Sequence, residues 1–157
     1  MDLLILVTLG TQKQSFKRLL DYIEKSNITD EIIVQAGFTE FESNKMKIFD
    51  FIPYEEMEEL VNKSSLIITH GGTGSILTPL KKGKKVIACA RLSKFNEHVD
   101  DHQTELVSIF TSEGYIMELN ENNNIDDLIK ESKNFKVKEY KSNTNKFIEK
   151  LENVINS

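Results

Sequence analysis

A short apolar run at the start of the chain constrains the fold more than any other feature. Residues 3–8 form a continuous run of mostly strand-favouring residues that ends near Gly10, the pattern of a strand buried on both faces. The apolar residues that follow recur at helical spacing and therefore predict one buried stripe of a helix: Phe16, Leu19, Leu20 and Ile23. Strand, glycine turn and helix form the repeating unit of proteins in which helices cover a parallel sheet.

The same alternation continues along the chain. We predict further strands over residues 31–35, 46–52, 66–69, 86–90 and 115–119. Helices are predicted over 54–62, from Ile76 onward and over 99–110, and a closing helix carries Phe147, Leu151, Val154 and Ile155 on one stripe. The expected fold is a Rossmann-like α/β domain with a mostly parallel sheet, spanning residues 1–157 and ending in a helical segment over about 124–157.

Charge and cysteine content narrow the function. The net charge of −5 and the lack of a long basic block argue against nucleic acid as a partner. The single cysteine, Cys89, excludes an internal disulfide and multi-cysteine zinc sites, and it suits a reducing cytoplasm. Because Cys89 ends an apolar run, we expect a buried core side chain and not a nucleophile. The opening run is too short to span a membrane and lacks the basic start of a signal peptide, so membrane association would require a surface patch or a partner.

Three segments follow predicted strands and are therefore expected at the ligand-binding edge of a parallel sheet. They are residues 10–12, 70–75 and 96–103. The second segment, His-Gly-Gly-Thr-Gly-Ser, is the most specific, because glycines let a backbone approach a ligand closely and the next helix directs free amides at it. Thr73, Ser75 and His70 add hydrogen-bonding groups, and together they favour a phosphate. The alternative is a tight turn with a capping serine.

Other assignments for these segments are weaker. The turn after the first strand holds only Gly10, and no lysine stands where a P-loop requires one, which argues against NAD and ATP. The third segment gathers hydrogen-bonding groups that are either solvated or part of a site: Asn96, His98, Asp101, His102 and Gln103. Its histidines and aspartates suggest a metal, but no further ligand cluster is evident, and we predict neither a metal nor a cofactor.

Four stretches together resemble the C-terminal domain of family 28 glycosyltransferases. They are residues 7–11, 51–53, 68–75 and 101–106, and the resemblance covers about residues 1 to 120. It implies the C-terminal half of a two-domain (GT-B) glycosyltransferase. A chain that begins at this half is similar to the small subunit of split enzymes, which include a eukaryotic dolichol-linked GlcNAc transferase and, closer in pattern, bacterial pairs of capsule and exopolysaccharide assembly.

The resemblance also implies a donor site by position. The donor diphosphate would contact Gly10, Thr11 and the turn formed by His70, Gly71, Gly72, Thr73, Gly74 and Ser75. The sugar would contact Asp101, His102 and Gln103, and the uracil would contact the backbone of Phe51 and Ile52. Thr78 stands where larger relatives often carry a glutamate that contacts the ribose. No general base stands out; His70 and His102 are the candidates.

The implied function is inverting transfer from a UDP-sugar to a polyprenyl-diphosphate-linked acceptor, without a tightly held metal, at the inner face of the cytoplasmic membrane. A membrane-anchored partner would supply the acceptor side. The donor could be UDP-galactose, UDP-GlcNAc or UDP-glucuronate. Two alternatives stay open: a non-catalytic subunit that activates a partner transferase, and a stand-alone α/β enzyme that uses another nucleotide.

Overall fold

The computed structural model describes residues 3–140 and 145–155 and contains a single six-stranded sheet within that part of the chain. Every strand pairing is parallel, and the spatial order is β3-β2-β1-β4-β5-β6. The strands are β1 Leu4–Thr8, β2 Glu31–Gln35, β3 Lys47–Phe49, β4 Leu66–His70, β5 Val86–Cys89 and β6 Met117–Glu118. The predicted α/β fold is confirmed.

Helices connect these strands and cover both faces of the sheet. They are α1 Lys17–Glu24, α2 Tyr54–Lys63, α3 Thr73–Lys81, α4 His102–Ser112, α5 Ile125–Asn134 and α6 Asn145–Ile155. None of the helices within the described ranges has both the length and the apolar character needed to cross a membrane.

Side-chain alternation along the strands divides the core into two layers. On β1, Ile5 and Val7 pack with the first layer while Leu6 packs with the second, because successive side chains of a strand point to opposite faces. The first layer includes the predicted α1 stripe and side chains of α5, and the second includes side chains of α2, α3, α4 and α6. Cys89 is buried in the first layer, and burial raises the pKa of its thiol to about 12, so this cysteine is a core side chain.

The strand order places a crevice between β1 and β4. From β1 the chain first builds outward through β2 and β3, and then crosses to build outward through β4, β5 and β6 on the other side. The loops that leave the carboxyl ends of β1 and β4 therefore run in opposite directions. In open α/β sheets this divergence creates the usual ligand-binding crevice.

Several predicted boundaries were wrong. Strand β6 spans Met117–Glu118 and not 115–119, and α3 begins at Thr73 and not at Ile76. Strand β3 ends at Phe49 and not at Ile52. Gly37 N still donates to Asp50 O beyond its end, and the chain then leads into α2 at Tyr54. Helix α4 begins at His102 and not at Val99, which is 78% exposed. A short 3-10 turn over Ser93–Phe95 occupies the preceding loop.

The C-terminal segment forms two helices. Asn124 caps α5 by accepting a hydrogen bond from Asp127 N at 2.9 Å. Helix α6 packs against α4 of the same chain through the buried Leu151, and Lys150 pairs with Glu113 at 3.0 Å. Val154 is half-buried on the same core layer, whereas the side chains of Phe147 and Ile155 lie outside those described.

Candidate functional site

A cleft of about 530 Å³ opens at the carboxyl ends of β1 and β4, a size suited to a small-molecule ligand. Its floor includes Thr8 of β1, whose hydroxyl donates to the Thr69 hydroxyl of β4 at 2.6 Å. The β1–α1 loop, the β3–α2 loop and the first turn of α3 form its walls. The cleft lies where the strand order predicts a binding crevice.

Most of the predicted donor-site residues line this cleft. They are Gly10, Thr11, Phe51, Ile52, His70, Gly72, Gly74 and Ser75. The sequence places them in three separate segments, and the parallel sheet brings those segments together. Thr78, the position of the missing glutamate, also lines the cleft from α3 and presents a hydroxyl group there.

The N-terminus of α3 faces the cleft without a side-chain cap. Gly72 is the N-cap residue with φ −72° and ψ 139°, and among the described residues no side chain hydrogen-bonds to the first amides of this helix. These amides and the positive end of the helix dipole make this turn suitable for an anion. A Cβ added at Gly74 would meet no atom within 4 Å, so the space beside the turn is open. Ser75 does not cap the helix and instead bonds to His70.

The imidazole of His70 lies in a slot between two glycines. A Cβ on Gly10 would lie 2.5 Å from His70 Nε2, and one on Gly72 would collide with His70 Cε1. Gly10 also has φ +79°, a conformation that glycine adopts without strain. A side chain at either position would therefore have to displace the His70 ring.

Gln103 joins the glycine turn to the start of α4. Its Oε1 accepts hydrogen bonds from Gly71 N at 2.9 Å and Arg91 N at 3.0 Å. Backbone N–H groups only donate, so Oε1 and Nε2 of this side chain are assigned without ambiguity. Nε2 lies 3.1 Å from His70 Nδ1. Gln103 is buried behind the turn and does not line the cleft, where the family pattern would have placed it.

His70 is uncharged at neutral pH. Its burial, together with the positive charge of Arg91 nearby, lowers the pKa of His70 to about 4. Nδ1 accepts from Gly72 N at 3.2 Å and faces the Gln103 amide, while Nε2 lies 3.0 Å from Ser75 Oγ. Both ring nitrogens are thus engaged within the protein, and neither is available as a proton acceptor for a substrate.

The other predicted sugar contacts lie away from the cleft lining. Asp101 accepts hydrogen bonds from Ser93 N and Ser93 Oγ and so secures the 3-10 turn. His102 is partly exposed, with its Nδ1 3.7 Å from Asp100 Oδ2. Thr73 begins α3 but is also outside the lining. Within the described ranges, no group of three or more metal-binding side chains is arranged to hold a metal ion.

Gln35 is a site residue that the sequence interpretation missed. Gly10 N donates to Gln35 Oε1 at 3.1 Å, and Gln35 Nε2 donates to Gly10 O at 3.0 Å and to Asp50 O at 3.2 Å. One side chain therefore holds the β1–α1 loop and the β3–α2 loop at a fixed separation. A polar residue that ends an apolar strand, as Gln35 ends β2, was the available sequence signal.

Arg91 is a second missed residue, and it is only 1% exposed. Its guanidinium donates to the carbonyls of Leu9 at 2.5 Å, Gln14 at 2.7 Å and Glu97 at 2.9 Å. It also lies 5.0 Å from the centre of the Phe16 ring. Arg91 thus ties the β1–α1 loop to the β5–α4 loop from beneath the cleft.

Aromatic side chains form the outer lip of the cleft. Phe51 is 55% exposed and contacts Phe38 edge to face, with ring centroids 5.5 Å apart. Tyr54 at the start of α2 is also exposed and lines the cleft. Such exposed rings, at a cleft whose glycine turn is suitable for an anion, are suited to a ligand that carries both a planar base and phosphates.

Comparison with known proteins identifies the family. The model of the glycosyltransferase family 28 C-terminal domain matches residues 4–157, and the chain belongs to this family. The UDP-N-acetylglucosamine transferase subunit ALG13 of Saccharomyces cerevisiae is 29% identical over 108 residues, which cover 68% of this chain and 48% of the yeast protein. The chain therefore spans about half the length of that relative.

Solved structures show the same fold. The NMR solution structure of ALG13 superposes with a TM-score of 0.59 at 22% identity, covering 96% of this chain and 94% of that one. The crystal structure of the calicheamicin glycosyltransferase CalG4 gives a TM-score of 0.59 at 12% identity, covering 98% of this chain and 38% of that one. The fold thus corresponds to a part of a larger glycosyltransferase in the second case.

Proposed function

We propose that this chain is the donor-binding subunit of an inverting glycosyltransferase that uses a UDP-sugar. The observation that carries the proposal is the uncapped N-terminus of α3 at a cleft that also contains Gly10, Thr11 and the Ser75 hydroxyl. The amides and hydroxyls would hold the diphosphate, and Phe51 and Ile52 would contact the uracil. The helix dipole and these donors would stabilise the departing UDP in the transition state.

A partner would supply the acceptor side. The yeast relative is named a transferase subunit, which supports a second subunit. We propose a membrane-anchored partner that binds a polyprenyl-diphosphate-linked sugar and recruits this chain to the inner face of the cytoplasmic membrane. The bacterial pairs of capsule and exopolysaccharide assembly remain our preferred context. Since both nitrogens of His70 are engaged, we assign the general base to the partner.

The relative's name favours UDP-GlcNAc as the donor over UDP-galactose and UDP-glucuronate.

Calorimetric titration with these three UDP-sugars, UDP and ADP, with and without the partner, tests the proposal. The Gly74→Trp variant should fold and block uridine nucleotide binding, because its side chain would enter open space at the cleft. Asn134→Trp, at an exposed position on α5, is the matched control and should bind normally.

Transfer assays of the reconstituted pair complete the test. The proposal predicts that Gly74→Trp abolishes transfer and that Asn134→Trp does not. If no uridine nucleotide binds even with the partner, and Gly74→Trp still supports transfer, the chain is an activating subunit and the donor-site proposal is wrong.

A further inference from the structure

We propose that Gln103 is a positioning residue that fixes His70 in the tautomer protonated at Nε2, and thereby directs the Ser75 hydroxyl proton toward a phosphate in the cleft. The ligand-facing half of this inference rests on the proposed function. The tautomer half depends only on contacts within the protein.

The backbone partners of Gln103 determine the orientation of its side-chain amide. Because Gly71 N and Arg91 N both donate to Oε1, the group that faces His70 must be the Nε2 amide, which is a donor. At 3.1 Å from Nδ1, this amide hydrogen-bonds to the ring. The Gln103 side chain is buried, so water does not compete for these hydrogen bonds.

The contacts at Nδ1 determine the protonation state of the His70 ring. Nδ1 accepts from Gln103 Nε2 and also from Gly72 N at 3.2 Å, so it carries a lone pair and no hydrogen. In a neutral imidazole the other nitrogen must then carry the hydrogen. Nε2 is therefore the donor in the 3.0 Å contact with Ser75 Oγ.

The hydrogen on His70 Nε2 determines in turn how the Ser75 hydroxyl is oriented. A hydroxyl that accepts from Nε2–H keeps its own hydrogen free for another acceptor. Ser75 lines the cleft in the first turn of α3, beside the amides that would bind a diphosphate. With the opposite tautomer, Ser75 would donate to Nε2 and would have no hydrogen for the ligand. Gln103 thus affects the ligand through His70 and Ser75 and does not contact it.

The tautomer can be measured directly on the intact 157-residue chain. Long-range ¹H–¹⁵N NMR spectra distinguish protonated from unprotonated imidazole nitrogens, and a His70→Asn variant assigns the signals among the three histidines. We expect an unprotonated Nδ1 and a protonated Nε2 for His70 at neutral pH. A protonated Nδ1 would overturn the inference, whether or not UDP binds. This measurement requires no substitution at Gln103.

The coupling to the ligand is tested with a double-mutant cycle. Gln103→Glu keeps an acceptor for Gly71 N and Arg91 N but places a carboxylate oxygen at Nδ1, so Nδ1 should become protonated in the NMR spectrum. Ser75→Ala should weaken UDP binding about tenfold or more through loss of a hydrogen bond to a charged group. In the Ser75→Ala background, Gln103→Glu should cause little further loss of UDP affinity, because both substitutions affect the same donor, the Ser75 hydroxyl.

Full additivity of the two losses would overturn the role of Gln103 in directing Ser75. If the wild-type chain bound no UDP, with or without its partner, the proposed function and the ligand-facing half would both fail. The NMR result would then decide the tautomer half independently.

Discussion

The side-chain amide of Gln35 forms two hydrogen bonds with the backbone of Gly10, one in each direction, at 3.1 and 3.0 Å. This pairing mimics the bonds between neighbouring strands beyond the end of β1, where Leu9 N still donates to Gln35 O. The β1–α1 loop is thereby held against the end of β2, at the entrance of the cleft.

Replacing Gln35 with glutamate should loosen this loop. The carboxylate cannot donate to Gly10 O or Asp50 O, so two carbonyls lose their donor and face a negative charge. We expect a loss of about 1–3 kcal/mol in the free energy of unfolding, measured by urea denaturation, with weaker UDP binding. Gln14→Glu introduces the same charge at a side chain without hydrogen bonds in the described structure and should be nearly neutral. Equal effects of the two substitutions would contradict the role of Gln35.

Stability should depend on pH through His70. The pKa of His70 is about 4 in the folded chain against 6.5 for a free histidine, so between these values the unfolded chain binds a proton that the folded chain does not. Stability therefore falls as the pH decreases through this window, by roughly 3 kcal/mol from this group. Urea denaturation of wild type and His70→Asn across the window should show a steeper loss for wild type. Parallel pH profiles would refute the low pKa of His70.

Two neighbouring glycines should respond differently to alanine. At Gly72, the new methyl group would collide with the His70 ring and displace it from Gln103 and Ser75, so we expect about 1–3 kcal/mol of destabilisation. At Gly74, the methyl group meets open space and the helix gains a better helix-forming residue, so stability should be unchanged or slightly higher. Thermal and urea unfolding of the two variants provide the comparison. A destabilised Gly74→Ala with an unaffected Gly72→Ala would show that the ring is not confined as described.

Removing Arg91 should be among the most damaging single substitutions. Arg91→Met would leave the carbonyls of Leu9, Gln14 and Glu97 without their donor in a buried region, at a cost of about 1–3 kcal/mol for each carbonyl that stays unsatisfied. The exposed pair Lys47–Glu31, 3.7 Å apart, provides a contrast, and Lys47→Met should change stability little. Denaturant unfolding measures both. A mild effect at Arg91 would mean that the β1–α1 loop is held by other contacts.

The sequence was most informative where local pattern decides structure. β2 has the predicted bounds of 31–35, and the four predicted residues of the α1 stripe, from Phe16 to Ile23, are all fully buried, because apolar periodicity reports directly on burial. The glycine turn after β4 was also located, since its composition permits few other conformations. These features need no knowledge of distant residues.

Features that depend on distant partners were missed. Nothing near Arg91 in sequence indicates that its side chain reaches the carbonyl of Leu9, 82 residues earlier, and a charged residue is expected at the surface by default. The start of α4 was misplaced because hydrogen bonds between Ser93 and Asp101 hold a compact loop where apolar spacing suggested a helix. Gln103 was grouped with sugar-contacting residues, whereas its position against Gly71 became visible only from the packing of α4.

The long separation between Arg91 and the carbonyls that it binds has a consequence for synthesis. Gln35, which holds Gly10, is synthesised 25 residues after it, but Arg91, which donates to Leu9 O and Gln14 O on either side of Gly10 and Thr11, is synthesised 82 residues after Leu9. A nascent or truncated chain that lacks Arg91 keeps the Gln35 contacts to this loop but has none of the Arg91 hydrogen bonds that tie it to the β5–α4 loop. Under the proposed function, weak nucleotide binding by such a chain would therefore report on incomplete folding of the domain.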